Sequence, residues 1–299
     1  MTRVLTLAGG VAGLVLVCAA CSAITGPGQP AVPPPTGSSG LVTTGHPVTV
    51  IDDGSGAELC LGGVAESLPP QCGGPKLAGW DWSDWTGKFE ASQGVRWGEF
   101  IVTGSYDPAS EEFTVTEARS GEGYVWPDRD DETWTSACPE PAGGWRVTDK
   151  SKVSARDQDA ALSLATSFQD YSTAWVDQSP NPAVGKDLPP EEQGRRLNDP
   201  LYTVINIAVT GDVAAAEAKL REVWSGMLCV SQGKRTEAEL QIVQDQLQRE
   251  VRGLLTSYTD PRAGVVMVQV SYDDGSVQRA LDQKFGKGLI VVDSALKPV

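Results

Sequence analysis

Six cysteines divide this 299-residue chain into two groups, and the second group constrains the fold most. Cys18 and Cys21 end an apolar N-terminal run, whereas Cys60, Cys72, Cys138 and Cys229 are spread through the rest of the chain. Four cysteines allow three pairings. The short spacing favours Cys60–Cys72, which leaves Cys138–Cys229. Chain-entropy arithmetic gives about 3 and about 4.6 kcal/mol for the two loop closures.

The first twenty residues have the pattern of a cleaved export signal. Arg3 gives a short positive region, and an apolar run from Val4 to Val17 follows it. A permanent transmembrane helix needs about 20 apolar residues, so this run is too short and favours cleavage after Ala20. An exported chain meets oxidising conditions, in which disulfides form.

The stretch Cys18-Ala19-Ala20-Cys21 resembles a bacterial lipobox, although leucine is usual where Cys18 stands. The resemblance implies that Cys21 is lipidated and becomes the mature N-terminus. Two or three acyl chains would anchor the protein to the outer face of the cytoplasmic membrane. Ordinary secretion, with cleavage near Ala20, is the alternative.

A tether and a β-rich region are expected next. Residues 21–46 are rich in Pro, Gly and Ser, show no apolar period and predict a spacer. Residues 47–125 contain short β-branched and aromatic runs separated by turn residues, the clearest of them between Gly94 and Tyr106. This spacing predicts a small all-β, barrel-like domain.

Tryptophans crowd the β-rich region and suggest a ligand site. Alternation along Gly79-Trp80-Asp81-Trp82 predicts a strand with both rings on one face. Trp80, Trp82 and Trp85 could form an aromatic platform for a sugar or peptide, with Asp81 or Asp84 as hydrogen-bond acceptor. The alternative is that the rings fill a small core, with Trp85 the more exposed ring.

Residues 126–150 read as an acidic linker, and residues 151–299 as an α/β domain. The linker carries Asp128, Asp130, Asp131 and Glu132 but lacks EF-hand spacing, so no metal site is expected. Beyond it, an apolar helical stripe runs to Trp175, residues 181–200 read as a loop, and four strands then alternate with three helices. The second of these helices starts with a capping box at Thr236 and Glu239, and its apolar face runs to Leu254. The pattern predicts a two-layer α/β sandwich and, with the first region, an α+β chain.

Charge and histidine content exclude some functions. The formal charge of −15 repels nucleic acid, which we exclude as a partner. The one histidine, His46, lies in a Pro/Gly/Ser tract, which is a poor place for a catalytic triad.

Three functional hypotheses remain, and none of them needs a cofactor. The first is a non-catalytic lipoprotein that binds an envelope protein, a cell-wall glycan or a small ligand. The second is a glycan hydrolase that uses carboxylates such as Asp81, Asp84 or Glu99. The third is a subunit of a membrane complex. Through the lipobox, ELCLGGVAESLPPQC and GWDW, the chain resembles lipoproteins of high-GC Gram-positive bacteria, which implies no particular activity.

The lipobox gives the first testable prediction. Cys21→Ala removes the sulfur that would carry the acyl chains, so we expect the protein to leave the membrane fraction and to lose its lipid mass. Cell fractionation and mass spectrometry of the intact chain measure both. Cys18→Ala, which changes only the discarded segment, is the control. Continued membrane retention of the Cys21→Ala protein would contradict the prediction.

Overall fold

The chain has a mixed α+β fold with one large sheet and two small ones. The computed structural model describes residues 37–38, 40–127 and 134–299. These residues belong to the second of two compact units, Val32–Val299. The predicted signal segment, Cys21, most of the tether and the acidic run at residues 128–132 lie outside the described residues.

Eight strands form the large sheet, and six of them come from the β-rich region that the sequence predicts. The eight strands are β1 (Val42–Thr43), β2 (Val48–Asp52), β3 (Glu58–Leu59), β4 (Lys76–Ala78), β5 (Glu90–Ser92), β6 (Val95–Asp107), β7 (Glu112–Ser120) and β14 (Lys297–Pro298). The strand at Val42–Thr43 lies in the predicted spacer, and the strand at Lys297–Pro298 lies near the C-terminus. Their order is β14-β1-β6-β2-β3-β4-β7, and β5 also pairs with β6. The β4–β7 pair is parallel, and the other pairs are antiparallel.

The long strand β6 organises the large sheet because it pairs with four other strands, β1, β2, β5 and β7. The pairings therefore run from β6 through β2, β3, β4 and β7 and return to β6. The β6–β7 register shifts between Thr103 and Gly104. A Cβ atom at Gly104 would collide with the carbonyl oxygen of Thr114, so only glycine allows this close approach.

The core beneath the large sheet is completed by the C-terminal part of the chain. Phe100 and Phe113 are fully buried in it, and Tyr272 and Leu296 belong to the same cluster. The last strand, β14, pairs with β1 in the same region. The C-terminus therefore contributes both apolar packing and backbone pairing to the first sheet.

Five helices and six strands follow the β-rich region. They are α1 (Ala155–Thr166), β8 (Tyr171–Asp177), α2 (Pro190–Leu197), β9 (Val204–Val209), α3 (Val213–Val223), β10 (Met227–Gln232), α4 (Glu237–Glu250), β11 (Leu254–Asp260), β12 (Val265–Val270), α5 (Ser276–Phe285) and β13 (Ile290–Ser294). The strands form two separate three-stranded sheets, β10-β9-β8 and β11-β12-β13.

The two small sheets repeat one topology. In each, a helix precedes a strand that pairs antiparallel with the next strand, and a second helix leads to a third strand that pairs parallel with the middle one. The first unit is α1-β8-β9-α3-β10, with α2 in the connection between β8 and β9, and the second is α4-β11-β12-α5-β13. Each middle strand is paired at both edges. Every residue of Val204–Val209 is buried, whereas the residues of Val265–Val270 alternate between half-buried and buried.

Each small sheet packs its two helices on one face. In the first unit Ala161 and Leu220 lie against Ile207, and in the second Leu240 and Leu281 lie against Val268. The helix starts are fixed locally. Thr236 and Glu239 form the capping box that the sequence predicts, and Ser154 forms another with Asp157.

The prediction of one four-stranded layer is wrong, because two strands were read as helix. Tyr171 and Trp175 fit the helical stripe of α1, but α1 ends at Thr166 and both residues lie in β8. Leu254 likewise starts β11 rather than continuing α4. Both strands follow short turns after an amphipathic helix, and their spacing from that helix matches its period. The region read as a loop, 181–200, contains α2.

The two disulfides are Cys60–Cys72 and Cys138–Cys229, the pairing that the sequence favours. They indicate an extracytoplasmic location, because disulfides persist in oxidising compartments. In the part of the chain that the structure describes, no helix has the length and apolar character needed to cross a bilayer.

The C-terminal contribution to the first core generates a stability prediction. Leu296→Ala removes a fully buried side chain from this cluster. We expect the free energy of unfolding to fall by about 2–5 kcal/mol. Urea denaturation under oxidising conditions measures it, and Leu68→Ala, at an exposed position, is the control. A loss no larger than that of the control would contradict this role of the C-terminus.

Candidate functional site

The predicted tryptophan platform is largely part of the first core. Trp82 is 5% exposed, and Trp80 and Trp85 are half-buried against the same cluster. The rings of Trp80 and Trp85 stack with centroids 5.4 Å apart, and Phe100 meets both edge-on. Trp85, the ring expected to be more exposed, is therefore engaged with its neighbours.

The predicted strand at Trp80-Asp81-Trp82 is also wrong, because a 3₁₀ turn runs from Trp82 to Trp85. Asp81 caps this turn by accepting a hydrogen bond from the backbone N–H of Ser83 at 2.8 Å. Asp84 lies in the turn and is exposed. Trp82 is the buried residue of this turn.

The Trp82 side chain is held by a hydrogen bond to the buried carboxylate of Asp52. Its Nε1 donates to Asp52 Oδ2 at 2.9 Å, and Arg96 donates to the same oxygen at 2.8 Å. Burial raises the pKa of Asp52, but hydrogen bonds from Gly54, Trp82 and Gly56, with the charge of Arg96, outweigh burial and lower that pKa. The contacts of Asp52 with Trp82 and Arg96 therefore stabilise the fold of the tryptophan region.

A more open site lies on the second face of the β10-β9-β8 sheet. Helices α1 and α3 cover the first face, and residues 134–148, which we call the strap, cross the second. Cys138 of the strap is bonded to Cys229, and Trp145 and Val147 pack on Val204 and Met227. The strap ends where Thr148 pairs with the carbonyl of Ser225.

Buried polar groups fasten the strap to the sheet. Ser136 donates from its N–H and its hydroxyl to Asp177 Oδ2, both at 2.7 Å, and Ala137 N–H donates to Asn206 Oδ1 at 3.1 Å. Burial raises the pKa of Asp177, but hydrogen bonds from Ser179 and Ser136 lower it more, so the carboxyl has a pKa below its ordinary value. The charged form of Asp177 thus holds the strap.

The strap leaves one row of the sheet uncovered. Thr173 and Ser231 pair on either side of Ala208, so these small side chains share the strap face. A cavity of about 460 Å³ lies over this row, bounded by residues 135–137 of the strap, the 232–234 segment and the β11–β12 turn at residues 260–263. We call this cavity the strap cleft.

An arginine and two tryptophans stand at the rim of the strap cleft. The Arg262 guanidinium carbon lies 4.7 Å from the ring centroid of Trp134 and 5.1 Å from that of Trp175. The Trp175 indole donates to the carbonyl of Thr135 at 3.1 Å, which fixes the ring against the strap. The Gln232 side chain donates to the carbonyls of Val209 and Thr210 and closes one end.

Another cavity, of about 630 Å³, lies between the end of α1 and the start of α3, but its polar groups serve local structure. Asp212 caps α3 by accepting from Ala215 N–H, and the Lys219 ammonium lies 5.6 Å from the Phe168 ring centroid. We therefore take the strap cleft as the candidate site. Among the described residues, no cluster of histidine, cysteine and carboxylate side chains could hold a metal ion.

Comparison of the chain with models of known protein families finds no match, and comparison with curated proteins finds none either. Sequence reasoning did not identify the strap cleft, because Trp175 was assigned to a helix and the row of small side chains depends on strand register. The turn residues Asp260-Pro261-Arg262 were a readable signal for the β11–β12 hairpin.

The Asp177 contacts generate a prediction about stability and pH. Asp177→Asn places an amide where Ser136 donates twice, so we expect a loss of about 2–3 kcal/mol at pH 7. Because the folded pKa lies below the ordinary 3.8, this stabilisation is present above pH 3.8 and disappears as the pH falls through the folded value. The difference from wild type should therefore shrink as the pH falls below 3.8 and through the folded pKa.

Urea denaturation across this pH range tests the Asp177 prediction. Asp84→Asn, at an exposed aspartate, should leave the free energy of unfolding near the wild-type value at both ends of the range. A difference between Asp177→Asn and wild type that is independent of pH would contradict the role assigned to the Asp177 charge.

Proposed function

We propose that this protein is an extracytoplasmic lipoprotein of the bacterial cell envelope that binds a ligand without catalysing a reaction. It would be anchored through acyl chains on Cys21 at the outer face of the cytoplasmic membrane. The strap cleft is the observation that carries this proposal. The two disulfides support the location, and the lipobox resemblance supports the anchor.

The cleft has the features of a binding site for a small molecule. Its volume lies within the range of about 300–1,000 Å³ that is usual for ligand pockets. Aromatic, hydroxyl and charged side chains line it together, and the disulfide and the Asp177 contacts hold its wall in place. A preformed cleft loses little conformational entropy when a ligand enters.

The positions of the carboxylates suggested for a glycan hydrolase support a hydrolase less well than they support a binding protein. Asp81 caps the turn at Trp82–Trp85, and Glu99 accepts a hydrogen bond from the Thr49 hydroxyl at 2.6 Å. Both groups therefore have local structural roles. Cell-wall fragments remain attractive as ligands of a binding protein, because a molecule anchored outside the membrane faces the wall.

We also propose that the β-rich region is barrel-like. The support is the path of pairings from β6 through β2, β3, β4 and β7 back to β6.

The binding proposal is tested by narrowing the cleft. Thr173→Leu places a larger side chain on its floor, and Thr256→Leu makes the same change at an exposed position of β11. With soluble peptidoglycan fragments as the probe, we expect tryptophan fluorescence titration to show binding to wild type and Thr256→Leu, and at least tenfold weaker binding to Thr173→Leu. No binding to wild type, or equal binding to both variants, would contradict the proposal.

A further inference from the structure

A cavity on the β-rich region lies apart from the strap cleft. Its volume is about 510 Å³, and it is lined by residues 87–90, where β5 begins, 97–99 of β6 and 120–122, where β7 ends. The strap cleft shares none of these residues. We call this cavity the Trp97 groove, and its size lies within the usual range for ligand pockets.

Trp97 stands on the face of β6 that points away from the first core. Phe100 and Val102 are buried in that core, and Trp97 and Glu99 alternate with them along the strand. Trp97 is half-buried, and within residues 37–38, 40–127 and 134–299 its indole makes no hydrogen bond and no ring contact. The three tryptophans of the first core differ, because each packs against another ring. Trp97 therefore leaves its ring to a ligand.

Two carboxylates flank the Trp97 ring. Glu90 is the direct partner of Trp97 in the β5–β6 pair, so the Cβ atoms of the two residues lie about 5 Å apart on one face. Glu99 follows Trp97 by two residues on the same face, which places their Cα atoms about 7 Å apart. A group that sits over the indole is therefore within reach of both carboxylates.

The flanking carboxylates are exposed and carry charges that no described cation compensates. In the described part of the chain neither Glu90 nor Glu99 forms an ion pair. The Thr49 hydroxyl donates to Glu99 Oε1 at 2.6 Å, which restrains the side chain. Glu99 Oε2 has no hydrogen-bond donor among the described residues. One oxygen of a positioned carboxylate is thus left for a ligand.

The lysine of the groove is already paired. Lys88 forms an ion pair with Glu122, which joins the chain before β5 to the chain after β7 and cancels both charges. Arg119 lies on the same face of β7 but outside the lining, and it makes no ion pair with any described carboxylate. The groove is therefore negative, on a protein whose formal charge is −15, and the field favours the approach of a cation.

An ammonium group on an alkyl stem matches these features. A cation over the face of an indole is attracted by the ring quadrupole, and tryptophan gives the strongest such contact. A primary ammonium has three N–H donors, so it can donate to both flanking carboxylates in charge-assisted hydrogen bonds. The stem can cover apolar surface of the ring while the charged end reaches the carboxylates.

We propose that the Trp97 groove is a second binding site, which takes an alkylammonium group over the indole of Trp97 and between Glu90 and Glu99. A lysine side chain of a peptide and a free diamine both present this group. The site goes beyond the function proposed above. Because its lining and that of the strap cleft have no residue in common, the two sites can be tested separately.

The test compares two probes that differ in one charge. Nα-acetyllysinamide carries an ammonium, and Nα,Nε-diacetyllysinamide has the same stem with a neutral amide at its end. The mature oxidised chain, carrying Cys21→Ser so that no lipid is attached, is titrated with each probe by calorimetry. We expect the charged probe to bind at least tenfold more tightly, and added salt to weaken only the charged probe.

Cadaverine, a free diamine with a five-carbon stem, distinguishes the two sources of the ammonium. Under the proposal both cadaverine and the charged lysine probe bind. Tighter binding of cadaverine would support a free amine as the ligand, and tighter binding of the lysine probe would support a peptide.

Variants identify the groups that hold the ammonium. Trp97→Leu should weaken the charged probe about tenfold, whereas Trp97→Phe, which keeps an aromatic ring, should weaken it less. Glu90→Gln and Glu99→Gln should each weaken it threefold to tenfold. Glu191→Gln, at an exposed carboxylate of α2, and Thr173→Leu, in the strap cleft, should leave the affinity unchanged. Thermal unfolding of each variant separates a loss of binding from a loss of fold.

Several results would overturn the proposal. Equal binding of the charged and the diacetylated probe would exclude recognition of an ammonium. A neutral N-acetylglucosamine trimer that binds as tightly as the charged probe would assign the ring to a sugar instead. Glu90 is exposed and has no described ion pair, so Glu90→Gln should keep the fold even if Trp97→Leu does not. Unchanged affinity in Glu90→Gln would place the ammonium elsewhere.

Discussion

The second face of the β10-β9-β8 sheet carries apolar side chains that must be buried. The segment that buries them organises this part of the structure. Two helices, α1 and α3, bury one face, which leaves the other face to a different segment of the chain. The strap covers it with Trp145 and Val147, and Cys138–Cys229 holds the strap in place. Asp177 satisfies strap N–H and hydroxyl groups that burial would otherwise leave without partners. The strap does not extend over the row formed by Thr173, Ala208 and Ser231, and the strap cleft lies over that row.

The tryptophans of the β-rich region serve mainly to fill the first core. In the first core, Trp80, Trp82 and Trp85 pack with Phe89 and Phe100 in edge-to-face and stacked contacts. The short strands contribute few aliphatic side chains to this core, and the aromatic rings fill the remaining volume. Trp175 lines the strap cleft instead, and the rings of Trp134 and Trp175 both lie beside the Arg262 guanidinium.

The repeat of two small units shows where sequence reasoning stops. Strands β9, β10, β12 and β13 were predictable, because their β-branched runs are flanked by turn residues. Strands β8 and β11 were not, because each directly follows an amphipathic helix and carries apolar residues at spacings that also suit that helix. Hydrogen bonding to a middle strand decides between helix and strand, and such pairing joins residues far apart in sequence.

The sequence by itself determined the α+β class and the capping of α4 and favoured the disulfide pairing that the structure has, because each depends on local composition, cysteine spacing or neighbouring residues. It also carries the lipobox pattern, on which the proposed anchor rests. The tertiary structure decided that Trp82 is buried, that the C-terminus completes the first core and that Thr173, Ala208 and Ser231 form one row. Strand register and long-range packing place these residues together, and neither is a property of a short stretch of chain.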